Sequence, residues 1–432
     1  MASKWIGILA IGVTTLAAAT NAFAGDDALK KELAQLNVLT GNDPMRGVLK
    51  ALIDDKAHAK KLLDYGIPAA KNKELSYNGA LVLGLTAAEM KDMKTAETYL
   101  RVCMDQGAKL QSFEKLKQSY GLLIELYFDY KQYKDSSRIC KELLELNTDD
   151  GKDRVVIGLT DRNEFGDPNE RFDTARRLRP YIFEIFVKAT AKQGKYDQAI
   201  KLVDGEIKRN DDWFDRELKA WVQKEAGKLE DAAETYEDVI KRIAKDERYK
   251  KKQKDALIGR IRYDVSNVYI ELKKIDRATD HLEFLLKSNP DSPVFYNDLG
   301  YIWADNDMKL DEAEKLIRKA LELDRDRRKK SETFDPKTDQ DSGAYLDSLG
   351  WVLFKQKKHV EAKEQLLKAI EDKTAQHIEI FDHLGDVHMA LGERDAALKA
   401  WQKGLEVATE SRRDQERKSL VEKKIGKAKE SK

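Results

Sequence analysis

The sequence predicts an all-α fold, a right-handed α-solenoid of stacked helix–turn–helix repeats. Three observations carry that expectation. Small residues recur in pairs one hairpin apart, from Gly84 with Ala96 to Gly385 with Ala397. Several of the turns between them share an acidic start to the second helix. The chain has 432 residues but only 7 prolines, and 36% of it is charged with both signs intermixed, which suits amphipathic helices with solvated outer faces. A period of roughly 34 residues marks an array, because each unit buries its apolar face only against its neighbours.

The first 24 residues stand apart. Lys4 gives a positive start, Trp5 to Thr20 is an apolar and small-residue run, and Ala22-Phe23-Ala24 forms an A-x-A cleavage site. This is the pattern of a secretory signal peptide cut between Ala24 and Gly25, so the chain is expected to be exported to a periplasmic or extracellular compartment. No later run is long and apolar enough to span a bilayer, so direct membrane insertion after signal removal is not expected. Residues 25–76 read as helices forming a cap or a degenerate repeat, with Val48-Leu49, Leu52-Ile53 and Leu62-Leu63 as apolar anchors.

The array is expected over residues 77–408, as about eight repeats. The second-helix small residues are Ala96, Ser136, Ala199, Ala232, Ala278, Ala313, Ala362 and Ala397, with gaps of 40, 63, 33, 46, 35, 49 and 35 residues. Twelve positions before them (thirteen before Ala313) stand Gly84, Ile124, Val187, Ala220, Ser266, Gly300, Gly350 and Gly385. Most are small, as close approach of two helices demands. Asp197, Glu230-Asp231 and Asp311-Glu312 open second helices, where carboxylates complement the positive end of the helix dipole. Pro290 and Pro293 close one repeat and open the next. The longer gaps imply insertions near 147–178, 241–258 and 324–343; the first and last are expected as mobile loops. Residues 409–432 are expected to form a charged, solvating C-terminal helix; Arg412 to Lys432 has nine basic and four acidic residues.

These residues resemble the tetratricopeptide repeat family, most clearly over Asn297 to Leu323, Tyr345 to Ile370 and Phe381 to Val407, where Leu299-Gly300-Tyr301 and Leu349-Gly350-Trp351 stand at the family's small first-helix position. The resemblance implies a binding or scaffolding module. It also implies that fixed positions on the first helices face a concave groove: Tyr263 and Asn267, Asn297 and Tyr301, Asp347 and Trp351, Asp382 and Asp386, with Asp305 one turn beyond. Aromatic anchors with carboxylates between them suit a protein or peptide partner that is basic and carries aromatic or apolar anchors. Family members that grip acidic chaperone tails use Lys and Asn at these offsets; Tyr263, Asn267, Asp298 and Asp347 disfavour that ligand.

Other chemistry is not indicated. Lys plus Arg number 79 against 78 acidic residues, so no net charge draws the chain to nucleic acid. Six scattered histidines give no metal spacing; His383 and His388 are five apart and do not share a helical face. Asn147, Asp149, Gly151 and Asp153 alternate as in a calcium loop, but the bidentate Glu is missing. No metal, cofactor or catalytic residue is therefore expected. Cys103 and Cys140 fall on second helices of successive repeats and read as buried thiols, with pairing left open. The exported scaffold, acting in envelope assembly or secretion, is the leading reading. Its alternatives are a regulatory or substrate-presenting subunit of an enzyme complex, and a hydrolase with a site in the 147–178 insertion.

Overall fold

The computed structural model describes residues 26–110, 112–144, 168–332, 334–336 and 339–430. The expected signal sequence, with its Ala24–Gly25 junction, lies outside them, as do the calcium-like run and most of the first insertion. The described residues form twenty helices and no strand, divided between two compact units, Met1–Asp211 and Asp212–Lys432.

The first unit opens with α1 (Asp26–Asn37), α2 (Asn42–Asp54) and α3 (Lys56–Lys71). Their apolar stripes, Leu29, Leu33 and Leu36, then Leu49 and Leu52, then Leu62 and Leu63, are buried. Asn37 pins this cap to the array, its side-chain oxygen accepting the Ser76 amide at 2.8 Å. Three hairpins follow: α4 (Tyr77–Glu89) with α5 (Met93–Lys109), α6 (Phe113–Asp129) with α7 (Tyr133–Leu144), and α8 (Pro168–Lys192) with α9 (Tyr196–Asn210). Ser136 replaces the usual Ala in the second hairpin, and its hydroxyl donates to the Ile124 carbonyl at 3.0 Å. Cys103 and Cys140 are buried and free, and burial pushes both thiols up.

The second unit has five hairpins: α10 (Trp213–Glu225) with α11 (Leu229–Lys245), α12 (Lys251–Glu271) with α13 (Ile275–Ser288), α14 (Pro293–Asp305) with α15 (Leu310–Lys329), α16 (Gly343–Lys355) with α17 (His359–Ala369), and α18 (Ile378–Ala390) with α19 (Arg394–Val407). A last helix, α20 (Arg412–Glu430), follows them. The small-residue pairs work as packing physics requires. A Cβ on Gly350 would lie 2.6 Å from Leu366, and one on Gly385 would overlap the Trp401 indole.

Every repeat hairpin turns in the same way. A left-handed residue stands five positions before the second-helix small residue, six in the repeat of Ala313: Lys91, Lys131, Gly194, Gly227, Lys273, Asp307, Lys357 and Gly392. The next amide reaches back to a first-helix carbonyl, as in Asp92 N to Ala87 O at 2.9 Å and Lys358 N to Leu353 O at 2.9 Å. This is the Schellman stop, which satisfies carbonyls that the helix end leaves open.

Where they are described, the first and last insertions contain helix rather than the loops expected of them. Residues 168–178 belong to α8, whose Pro168 stands at the first turn, where a missing N–H costs nothing. Residues 241–258 are largely absorbed into longer helices, leaving 246–250 as the link between α11 and α12. Residues 324–329 complete α15, because Asp324 is buried and receives Arg327 at 2.7 Å and Arg328 at 2.9 Å. Beyond α15 the chain is tied back by Arg325 to Asp341 and Arg328 to Asp339.

Candidate functional site

The positions expected to face a groove lie in the second unit, on α12, α14, α16 and α18. Tyr263, Asn297, Asp347 and Asp382 each stand three residues before the small residue of their helix. Tyr263 and Asp347 form rungs between successive first helices. Tyr263 donates its hydroxyl to Asp298 at 2.9 Å, and Asp347 meets His383 Nδ1 at 2.9 Å. Asp382 takes Arg417 of α20 at 3.0 Å, so α20 supplies the partner that a further repeat would have supplied. Asn297 is buried; its amide nitrogen lies 3.4 Å from Asp298 and its oxygen has no hydrogen-bond partner.

One residue after the small position stand Asn267, Tyr301, Trp351 and Asp386. Asn267 bonds back to the Tyr263 carbonyl at 3.0 Å. Tyr301 donates to Glu379 at 2.7 Å, reaching two repeats along. Trp351, only 9% exposed, packs in the core and donates its indole N–H to Asp305 at 3.1 Å. It stacks on His383 with ring centroids 4.0 Å apart, and Lys355 sits 5.2 Å above its ring. Asp386 receives Lys424 at 2.7 Å. Asp305 is exposed, while Asp298, Tyr301 and Asp386 are half-buried. The aromatic row is thus largely spent on joining repeats; of the carboxylates, Asp347 and Asp382 are buried and Asp305 is exposed.

Electrostatics follow from this packing. Burial works against a charged His383, but the Asp347 carboxylate, with Glu379 behind it, outweighs that and raises the imidazole above its ordinary value. Burial likewise opposes ionisation of Glu379, yet Arg417, His383 and Arg413 hold its carboxyl down at about 2. Asp298 and Asp386 are pushed up, mainly by burial. Asp298 takes hydrogen bonds from Tyr263 and Asn297.

Sequence reasoning had picked out Asp382 and Asp386 but missed Glu379, His383, Arg413, Arg417 and Lys424. Glu379 receives Arg413 at 2.8 Å and Arg417 at 2.6 Å, and Lys424 bridges Asp382 at 2.6 Å and Asp386 at 2.7 Å. The available signal was spacing. Positions 413, 417 and 424 fall on one helical face, as do 379, 382 and 386. Chemically the arrangement accepts cations from a helix. Among the described residues no group of side chains has the make-up of a metal site, and no helix is long and apolar enough to cross a membrane.

No family model matches the chain. A curated TPR repeat-containing protein of Pseudomonas aeruginosa is 34% identical over 105 residues, which are 24% of this chain and 15% of that protein. The chain therefore spans about 15% of the length of the curated relative it matches. Among solved structures, a tetratricopeptide repeat protein from Parabacteroides merdae is 15% identical, with a TM-score of 0.44 over 70% of this chain and 99% of that one. TTC0263, a TPR protein of Thermus thermophilus, is 15% identical, with a TM-score of 0.36 over 49% and 98%.

Proposed function

We propose that the chain, which is similar over 105 residues to a TPR repeat-containing protein, is an exported interaction scaffold, periplasmic or extracellular, that holds a basic protein segment against the carboxylate-bearing face of its second unit. The observation that carries this reading is that Glu379, Asp382 and Asp386 form a stripe that takes arginine and lysine side chains from a helix. Asp298 and Asp305 bring further carboxylate to the preceding repeats of the same unit, with Tyr263 and Trp351 bonded to them. Rigid helices fix these groups in advance, so a partner loses entropy mainly on its own side. The family resemblance, together with the signal-like pattern of residues 1–24, supports a role in envelope assembly or secretion.

Two measurements test the proposal. N-terminal sequencing of the chain from a fractionated host is expected to give Gly25 as the first residue; an intact Met1 in the cytoplasmic fraction overturns the export half. Capture from an envelope extract is expected to retain a basic partner on the unmodified chain and lose it on Asp298→Asn/Asp305→Asn, which leaves the α20 ion pairs in place. Equal capture by both overturns the assignment of this face.

A further inference from the structure

Helix α20 meets α18 and α19 through a small apolar cluster in which Val421 and Ala428 join Ile378, Ala397 and Trp401. Val421 and Ala428 are buried and Ile425 half-buried, while Leu420 points to solvent at 54% exposure. Beside that cluster it is held by ion pairs: Arg413 to Glu379, Arg417 to Glu379 and Asp382, and Lys424 to Asp382 and Asp386. The α18–α19 hairpin beside it is built differently, with Trp401 buried against Gly385. Between α19 and α20 the chain leaves the helix at Ala408–Ser411, and residues 409–411 are exposed.

We propose that the Glu379–Asp382–Asp386 stripe is a receptor for a basic amphipathic helix, that α20 occupies it as the chain's own ligand, and that a partner helix with cations spaced as Arg413, Arg417 and Lys424 binds by replacing α20. The proposal rests on the scaffold reading above and names the class of partner.

Exchange is favoured over simple release on electrostatic grounds. The Asp382 side chain is 3% exposed and Glu379 12%. That burial includes the cover α20 itself provides, so release of α20 alone would return the carboxylates to water but forfeit every one of these ion pairs. A partner helix with equivalent cations strands no charge, because each carboxylate trades one donor for another. The short connection holds α20 at an effective concentration on the order of millimolar. A partner competes only if it binds this stripe tightly or gains a second contact, and Asp298 and Asp305 offer one in the same unit.

The test uses the full chain, isotopically labelled, with an unlabelled synthetic peptide of residues 409–430 as the probe. Hydrogen exchange of α20 amides is expected to accelerate about tenfold or more at millimolar probe, with α19 unchanged. A probe carrying Gln in place of the three cations is expected to do nothing. In the Arg413→Gln/Arg417→Gln/Lys424→Gln chain, the cationic probe is expected to bind at least about tenfold more tightly than to the unmodified chain. Should that chain unfold, Lys424→Gln alone, which leaves both arginines in place, is expected to show the same trend. Unchanged α20 protection at every probe concentration overturns the proposal, as does equal probe affinity for both chains. A partner captured through Asp298 and Asp305 while α20 keeps its protection overturns exchange and leaves the scaffold standing. Probe exchange without any capture does the reverse.

Discussion

Arg417→Met isolates the electrostatic contribution of α20 while keeping much of the side-chain volume. Arg417 bridges Asp382 at 3.0 Å and Glu379 at 2.6 Å, and its own side chain is 21% exposed. Breaking a buried pair by removing one partner costs about 3–5 kcal/mol. Lys424 still serves Asp382, and the largely exposed Arg413 still serves Glu379, so the expected loss is nearer about 2 kcal/mol. For a unit of this size that lowers the melting temperature by about 4–8 °C. The pH dependence carries a separate signature. Glu379 falls from its ordinary 4.5 to about 2 in the folded chain, equivalent to about 3 kcal/mol. Because the folded value is the lower one, this stability is complete above about pH 4.5 and fades as pH falls toward 2. Arg417→Met is expected to raise the folded value and flatten that slope. Calorimetry of both chains between pH 2 and 7 measures it. A melting temperature within about 1 °C of the unmodified chain, with an unchanged acid limb, would refute the reasoning.

Four further outcomes follow from the packing. Trp351→Ala is expected to cost about 3–5 kcal/mol, since the indole is core and stacked on His383, so lost binding would accompany a lowered melt; a variant that keeps its melt places Trp351 outside the core. Gly385→Ala is expected to destabilise by about 1–3 kcal/mol and shift Trp401 fluorescence, because the added carbon overlaps the indole; an unchanged spectrum counts against this contact. Lys357→Gly is expected to stabilise by about 0.5 kcal/mol, as glycine removes the left-handed penalty at φ 67° but adds unfolded-state entropy; denaturant melts decide the sign. His383→Gln is expected to flatten the alkaline side of the stability profile. The folded imidazole titrates above its unfolded value, so its contribution is complete below about pH 6.5 and lost as pH rises through the raised value; a slope equal to that of the unmodified chain removes His383 from the account.

The repeats were legible because their signal is local: a small residue at each helix crossing, with an acidic first turn in many second helices. The turn was only half legible. Glycine announces a left-handed residue, but four of the eight hairpins place lysine there, and the Schellman bonds force it on a side chain that gives no warning. The positions expected to face a groove lie on the first helices of their hairpins, yet the residues they bond were not visible. A rung joins residues 35 or 36 apart, as Tyr263 joins Asp298 and Asp347 joins His383, and no short spacing encodes it.

The same non-locality explains why the C-terminal helix reads as merely solvating on its own. Its nine basic residues against four acidic suggest a surface facing water until Glu379, Asp382 and Asp386 are set beside them. Read together, the two stripes are complementary, and neither determines the other's role. An array must end in something that covers its last repeat, and an apolar helix would have done so permanently. Here the cover is held by arginine and lysine over carboxylates, and any helix that buries Asp382 as α20 does must bring it a cation. That requirement fixes the charge of whatever lies on this face without fixing its identity. A capping helix and a ligand site can consequently share one set of residues.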